Sequence, residues 1–174
     1  MNGNPLALAT LNHASLDRFV AVCGPLFERS PWVAERTWPR RPFASLAALH
    51  QELVATVESA SPTEKIALIR AHPDLVGKLA ASGSLSAESA REQAAAGLDA
   101  VTPDEAARFT RYNAEYRDRF GFPFVICARE NKKEAILRAF PRRLNQTRDQ
   151  EIATAISEIA KIAWLRLKDA VTEG

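Results

Sequence analysis

Phe122-Pro123-Phe124-Val125-Ile126-Cys127-Ala128 is the stretch on which the fold class turns. It is apolar throughout, β-branched at its centre and close to a proline at its start, as a buried strand often is. A strand needs a partner, and nothing else in the 174 residues offers one. The expected state is an extended connection packed through the core of an otherwise helical protein. Such a connection carries backbone N–H and C=O groups into the interior, where they must be hydrogen-bonded. A ligand rich in amide-like groups is one source of partners, so 122–128 is the first hint of a binding site.

Outward from this segment the chain reads as helix in both directions. Three helix starts are written as capping boxes, a Ser or Thr cap followed three residues later by Glu or Gln. They are Ser61-Pro62-Thr63-Glu64, Thr102-Pro103-Asp104-Glu105 and Thr147-Arg148-Asp149-Gln150. In the first two, proline takes the first helical position, where a missing N–H is no loss. Ser30-Pro31 suggests a similar start, and Ser15, Ser45 and Ser86 read as simpler caps. Gly97 and Gly121 are expected stops, the latter followed by Pro123. The predicted helices cover about 15–28 (with a possible break at Gly24-Pro25), 30–38, 45–59, 62–71, 87–96, 103–120, 131–140 and 148–171. The expected fold is all-α, a single compact domain over 1–174 of about eight helices, with the irregular apolar segment near 122–128. No repeat, low-complexity tract or Gly/Ser linker argues for a boundary.

Composition excludes several classes. Hydrophobic residues make up 47% and charged residues 25%, which fits a globular protein rather than a disordered one. The first ten residues lack the basic and apolar regions of a signal peptide. No stretch approaches the roughly 20 apolar residues of a membrane helix. The closing Val171-Thr172-Glu173-Gly174 is not a peroxisomal address. Cys23 and Cys127 fit neither a disulfide framework nor a CxxC motif, and their apolar surroundings suit core thiols better than a Cys–His nucleophile pair. A cytoplasmic protein with reduced thiols is the expectation. The net charge of +2 does not argue for nucleic acid. Arg129, Lys132, Lys133, Arg138, Arg142, Arg143 and Arg148 gather late against only Glu130 and Glu134, without the aromatics a single-strand binder uses. That run reads as a solvated face with some pairing, with a small anionic ligand a milder alternative than a polynucleotide.

Of three histidines, His13, His50 and His72, the last stands out. In Ala71-His72-Pro73-Asp74-Leu75-Val76-Gly77 the proline disfavours helix at the residue before it, so His72 is expected where a helix ends. Histidine is also the side chain whose ordinary pKa lets it exchange protons near neutrality. A helix-end histidine solvated or bonded to a carbonyl is the competing reading. His13 lies in a polar stretch and His50 inside a predicted helix, a structural position.

Two further features are unusual. Ser89, Glu92 and Gln93 are spaced i, i+3, i+4, so a helix presents all three on one face, suited either to a polar planar ligand or to solvent. In the last helix an apolar stripe runs Ile152, Ile156, Ile159, Ala163, Leu167, and Arg166 falls beside it. An arginine there must be paired, meet an anion, or snorkel to the rim. No HxxxH, HExxH, paired cysteines, GxGxxG or Walker A loop is present, so neither a metal nor a nucleotide cofactor is expected.

Taken in order, these motifs resemble the 2-oxo-4-hydroxy-4-carboxy-5-ureidoimidazoline (OHCU) decarboxylases of urate breakdown. The matching pieces are Cys23-Gly24-Pro25-Leu26-Phe27-Glu28-Arg29-Ser30-Pro31-Trp32-Val33-Ala34, then 71–80, then Glu92-Gln93 with Ala96-Gly97-Leu98. Tyr112-Asn113, Tyr116-Arg117 and the run from Arg119 to Cys127 complete them. The resemblance implies an all-α, cofactor-free enzyme that turns the unstable ureide into (S)-allantoin, with a tendency to homodimers to which the Trp-containing 31–38 segment also points. It implies that His72 is the catalytic histidine and that Pro73 lines the pocket. It puts the polar ligand-binding helix on Ser89, Glu92 and Gln93, and a ligand-binding backbone on Phe124, Val125, Ile126, Cys127 and Ala128. It assigns the family's arginine to Arg166.

Chemistry agrees with that assignment. Loss of CO₂ leaves electrons that the adjacent ring C=N accepts, so the substrate carries its own electron sink. The protein has to hold the carboxylate, stabilise developing charge and control protonation on one face. His72 would move the proton, and Glu92 would orient it or the substrate hydroxyl. Arg166 would hold the departing carboxylate or a ring oxygen. Ser89, Gln93 and the 124–128 backbone would read the ureido and ring amides. The rival readings are an enzyme acting on a related ureide, and a non-catalytic helical ureide-binding or interaction module without nucleic-acid or membrane partners.

Overall fold

A computed structural model describes residues 5–76 and 85–174. Gly77 and the 78–80 part of the family-like 71–80 segment lie outside the described residues. The elements are β1 (Leu6–Ala7), α1 (Leu8–Asn12), α2 (Leu16–Cys23), α3 (Trp32–Thr37), α4 (Leu46–Glu58) and α5 (Pro62–Arg70). They continue as α6 (Ala87–Ala95), α7 (Pro103–Phe120), α8 (Lys133–Leu144), α9 (Arg148–Ala170) and β2 (Val171–Thr172). Short 3-10 turns cover Gly24–Leu26, Trp38–Arg40 and Ala128–Glu130. The fold is all-α, as expected. Among the described residues no helix is long and apolar enough to cross a membrane.

The caps act as the sequence predicts. Ser61 and Thr102 close complete capping boxes with Glu64 and Glu105. Thr147 and Gln150 exchange the same two bonds at 2.9 and 3.3 Å. Ser15, Ser45 and Ser86 each accept from the backbone N–H three residues on. Gly97 and Gly121 adopt φ of 78° and 79°, where only glycine is at ease, and stop α6 and α7.

Two expectations, the Ser30 cap and the helix stop at 140, need correction. Ser30 does not cap α3: its hydroxyl donates to the Glu28 carbonyl at 2.9 Å, and Trp32 is the first helical residue. The 15–28 stretch does break at Gly24-Pro25: α2 ends at Cys23 and gives way to the 3-10 turn carrying Pro25. Helix α8 runs through Pro141 to Leu144 rather than stopping at 140, because its last turn delivers Arg143 to a buried partner. The five-residue α1 and the β1–β2 pair, parallel in register Leu6↔Val171 and Ala7↔Thr172, are too short to show a periodicity.

The described residues form two compact units, one of residues up to 71 together with 160–174, the other of 72–159. In the first, α3 packs on α2 and α4 over a core that includes Phe19, Val33, Ala34, Leu49, Leu53 and Leu167. Buried hydroxyls of Thr37 and Thr56 join α3 to α4 at 2.8 Å. His50 is structural, as expected: its Nε2 lies 2.9 Å from the Ala160 carbonyl and its ring against Trp164. The second unit packs α7 on α8 around an aromatic core of Phe109, Tyr116, Phe120, Phe122, Phe124 and Phe140. Phe124 of the extended segment stacks on Phe140 of α8 with ring centroids 3.9 Å apart.

Candidate active site

His72 follows the last turn of α5 and is buried, in a bend before Pro73. Its helix-end placement is therefore as predicted. The backbone that follows is tightly held. Gln93 of α6 accepts from Val76 N–H at 3.2 Å through Oε1 and donates to the Asp74 carbonyl at 3.4 Å through Nε2. Val76 has φ of 52°, an outlying conformation for a β-branched residue. Arg117 Nε lies 3.0 and 3.1 Å from the two carboxylate oxygens of Asp74.

Ser89 and Gln93 are buried on α6 and Glu92 is half-buried, so this face meets protein rather than open solvent. The helix packs against the Ala128–Glu130 turn at the end of the extended segment. Lys133 N–H donates to the Ala96 carbonyl at 3.1 Å, tying the end of α6 to the start of α8. The second unit thus gathers three features scattered in sequence: the His72–Pro73 bend, the Ser89/Glu92/Gln93 face and residues 124–128.

The extended segment is a connection and not a strand, as expected. Side chains of the chain itself supply several of its partners. Arg143 Nη1 donates to the Val125 carbonyl at 2.6 Å, Asn131 Nδ2 to the Cys127 carbonyl at 3.0 Å, and Cys127 N–H to Glu158 Oε2 at 2.8 Å. Phe124, Val125, Cys127 and Ala128 are buried and Ile126 is half-buried.

Arg143 is the exception in the late basic run, whose Arg129, Lys132, Arg138, Arg142 and Arg148 are exposed, as a solvated face requires. It is 7% exposed, and its Nε reaches Glu151 Oε1 at 2.9 Å and Oε2 at 3.0 Å. Tyr116 hydroxyl donates to the same carboxylate. Burial works against both charges, raising the Glu151 carboxyl and lowering the Arg143 guanidinium from their ordinary values. This network also turns the start of α9: Glu151 and Ala155 take the fully buried line, and Ile152 and Ile156 are only half-buried.

Arg166 lies in the first unit. It is buried and does not snorkel: Nη2 reaches Glu28 Oε1 at 3.0 Å and Nη1 the Pro25 carbonyl at 3.2 Å. Both thiols are poor nucleophiles at neutral pH. Burial pushes Cys23 up to about 12 and Cys127 up to about 11, the latter helped by the nearby charges of Glu130, Glu158 and Glu92.

Residues 12–168 match the model of the OHCU decarboxylase family. The chain belongs to that family. It is 40% identical over 164 residues to the 2-oxo-4-hydroxy-4-carboxy-5-ureidoimidazoline decarboxylase of Halalkalicoccus jeotgali, covering 94% of this chain and 91% of that protein. It is 43% identical over 161 residues to the decarboxylase of the same name from Amia calva, covering 92% of each. Among solved structures, a crystal structure of (S)-allantoin synthase matches with a TM-score of 0.77 at 27% identity, over 97% of this chain and 54% of that one. The chain spans about half the length of that structure.

Several residues that bond within these elements had no role in the sequence reading. Asp74, Asn113, Arg117, Glu151, Glu158 and Glu28 are among them. A signal for Asn113 was present: it interrupts the line Phe109, Tyr116, Phe120 on the buried face of α7, as Arg166 interrupts its stripe. Arg143 similarly continues the spacing of Ile136 and Phe140.

Proposed function

We propose that this chain decarboxylates 2-oxo-4-hydroxy-4-carboxy-5-ureidoimidazoline to (S)-allantoin in urate degradation, with His72 as general acid/base. The chain is a carboxy-lyase by its family, acting on a small molecule. The observation that carries the role of His72 is its burial at a helix end beside a backbone fixed by Gln93. In this reading Glu92 orients the imidazole or the substrate hydroxyl, and Pro73 lines the pocket. Ser89 and the second N–H and lone pair of the Gln93 amide bind the ureido group. Residues 124–128 contribute backbone at positions not taken by Arg143, Glu158 and Asn131. Arg166, oriented by Glu28, holds the departing carboxylate. The enzyme works without a cofactor, in the cytoplasm and as a homodimer. The half-buried Trp32 and Trp38, each under an arginine, are its candidate contact.

Circular dichroism of freshly generated substrate, with and without the protein, tests the activity. Rapid enantioselective appearance of allantoin supports it, and a spontaneous rate in the presence of protein rejects it. Glu92→Gln separates proton handling from binding, because the amide keeps the shape. Its kcat should fall more than its affinity, whereas Gln93→Ala should chiefly raise KM. A change in KM alone for both makes Glu92 a binding residue.

Arg166→Lys keeps a charge but loses the planar fork that spans Glu28 and the Pro25 carbonyl. A large loss of kcat/KM for the carboxylated substrate is expected, with a smaller loss of affinity for allantoin, which has no carboxylate. Equal losses assign Arg166 to a ring or ureido oxygen. Unchanged activity with a lower Tm makes it a structural partner of Glu28.

A further inference from the structure

The 74–76 turn is held by more side chains than a surface loop needs. Gln93 of α6 spans it, bonding Asp74 carbonyl and Val76 N–H. Asn113 of α7 donates through Nδ2 to the carbonyl between them, that of Leu75, at 2.8 Å. One helical turn on, Arg117 grips the Asp74 carboxylate. Successive carbonyls of Asp74 and Leu75 and the following N–H of Val76 are thus each taken by a side chain from a helix.

Two observations show that the arrangement is specific rather than incidental. Val76 stays at a φ of 52°, a conformation that persists for a β-branched residue only where the surroundings over-determine it. Asn113 is 6% exposed, and its Oδ1 is buried without a hydrogen-bond partner among the described residues. A buried amide normally satisfies both ends. Here the donor end is committed to the Leu75 carbonyl, and among the described residues the acceptor end meets no donor.

We propose that Asn113 and Arg117 are positioning residues that, together with Gln93, lock the 74–76 turn and so fix where the His72 imidazole sits. The proposal rests on the catalytic reading of His72. His72 is joined to Asp74 through Pro73 alone, whose ring fixes φ and stiffens the link, so a turn free to shift would carry the imidazole with it. A general acid/base acts only within hydrogen-bond reach of its proton. A displacement of about 1 Å from a change remote from the chemistry can lower the rate by about 10²-fold. Asn113 sets the height of the turn through Leu75, and Arg117 sets its rotation through Asp74.

The test uses Arg117→Ala, Arg117→Lys and Asn113→Leu in the full chain, with kinetics and the imidazole C–H signals of the three histidines in NMR spectra. Arg117 has a side chain 44% exposed, so its truncation leaves the core intact even where Asn113→Leu fails to fold. The expected result for Arg117→Ala is a kcat reduced by about 10- to 10²-fold with KM little changed. The His72 signal, identified by its loss in His72→Asn, should shift or broaden while those of His13 and His50 stay in place. Arg117→Lys should recover part of the turnover. A folded Arg117→Ala or Asn113→Leu with wild-type kcat and an unmoved His72 signal overturns the proposal, whatever its Tm. Full turnover by His72→Asn rejects the catalytic reading instead, and the resting-state His72 signal then still decides whether the turn positions the imidazole.

Discussion

Turnover of the His72→Asn variant is expected to fall by about 10²- to 10⁴-fold, the usual effect of removing a positioned general acid/base. Asparagine is the informative replacement because His72 is 6% exposed, and a smaller side chain would open space as well as remove the imidazole. Substrate binding should change far less than kcat, since the proposed contacts of Ser89, Gln93 and Arg166 are untouched. The pH dependence of kcat should also flatten near neutrality, where no other group proposed to contact substrate ordinarily titrates. The measurement is initial rate by circular dichroism on fresh substrate across a pH series. Retention of more than half the wild-type turnover removes His72 from the mechanism.

Glu151→Leu is expected to destabilise the protein by about 3–5 kcal/mol, the effect of leaving a buried charge without its partner. Arg143 cannot escape by losing its proton, because a guanidinium stays charged even when burial lowers it. The change also removes the acceptor for the Tyr116 hydroxyl. The double variant Glu151→Leu/Arg143→Met should recover much of the loss, since apolar side chains of similar volume replace buried ion pairs well. It should still fall short of the wild type, as the Val125 carbonyl loses its donor. Urea unfolding of the two variants checks this. A Glu151→Leu protein within about 1 kcal/mol of the wild type would refute the view that the pair is a structural ion pair.

Local chemistry was legible wherever one short stretch decides the outcome. The capping boxes at Ser61, Thr102 and Thr147, the stops at Gly97 and Gly121 and the bend at His72 depend on neighbours within four residues. So did the composition that made 122–128 an unpaired extended run. The partners of that run were not legible, because Arg143, Glu158 and Asn131 come from 4 to 31 positions away, and even the place of Arg143 in line with Ile136 and Phe140 does not say which carbonyl it meets. The same limit explains α9. Periodicity favoured Ile152 and Ile156 for the core, but a carboxylate with two committed partners outranked them. It explains Pro141 too, where the pull of a buried Arg143 carries the helix past a residue that removes one of its bonds. The candidate residues could be named from the sequence, while the side chains that hold their backbone, such as Asn113 and Arg117, show themselves only in the fold.

The division of the chain into two units also sorts its chromophores. Trp32, Trp38 and Trp164, all three indoles of the sequence, fall in the first unit, and both phenols, Tyr112 and Tyr116, in the second. Indole emission during unfolding therefore comes from side chains of the unit that contains Arg166, and the unit that contains His72 holds no indole. Tyrosine absorbance does the reverse, with Tyr116 buried against Glu151 as its most sensitive reporter. Any account of a variant around His72 built on tryptophan fluorescence alone watches the wrong half of the molecule. Recording both signals on one sample turns that hazard into a measurement, since coincident transitions are the mark of a single cooperative unit and separated ones of two.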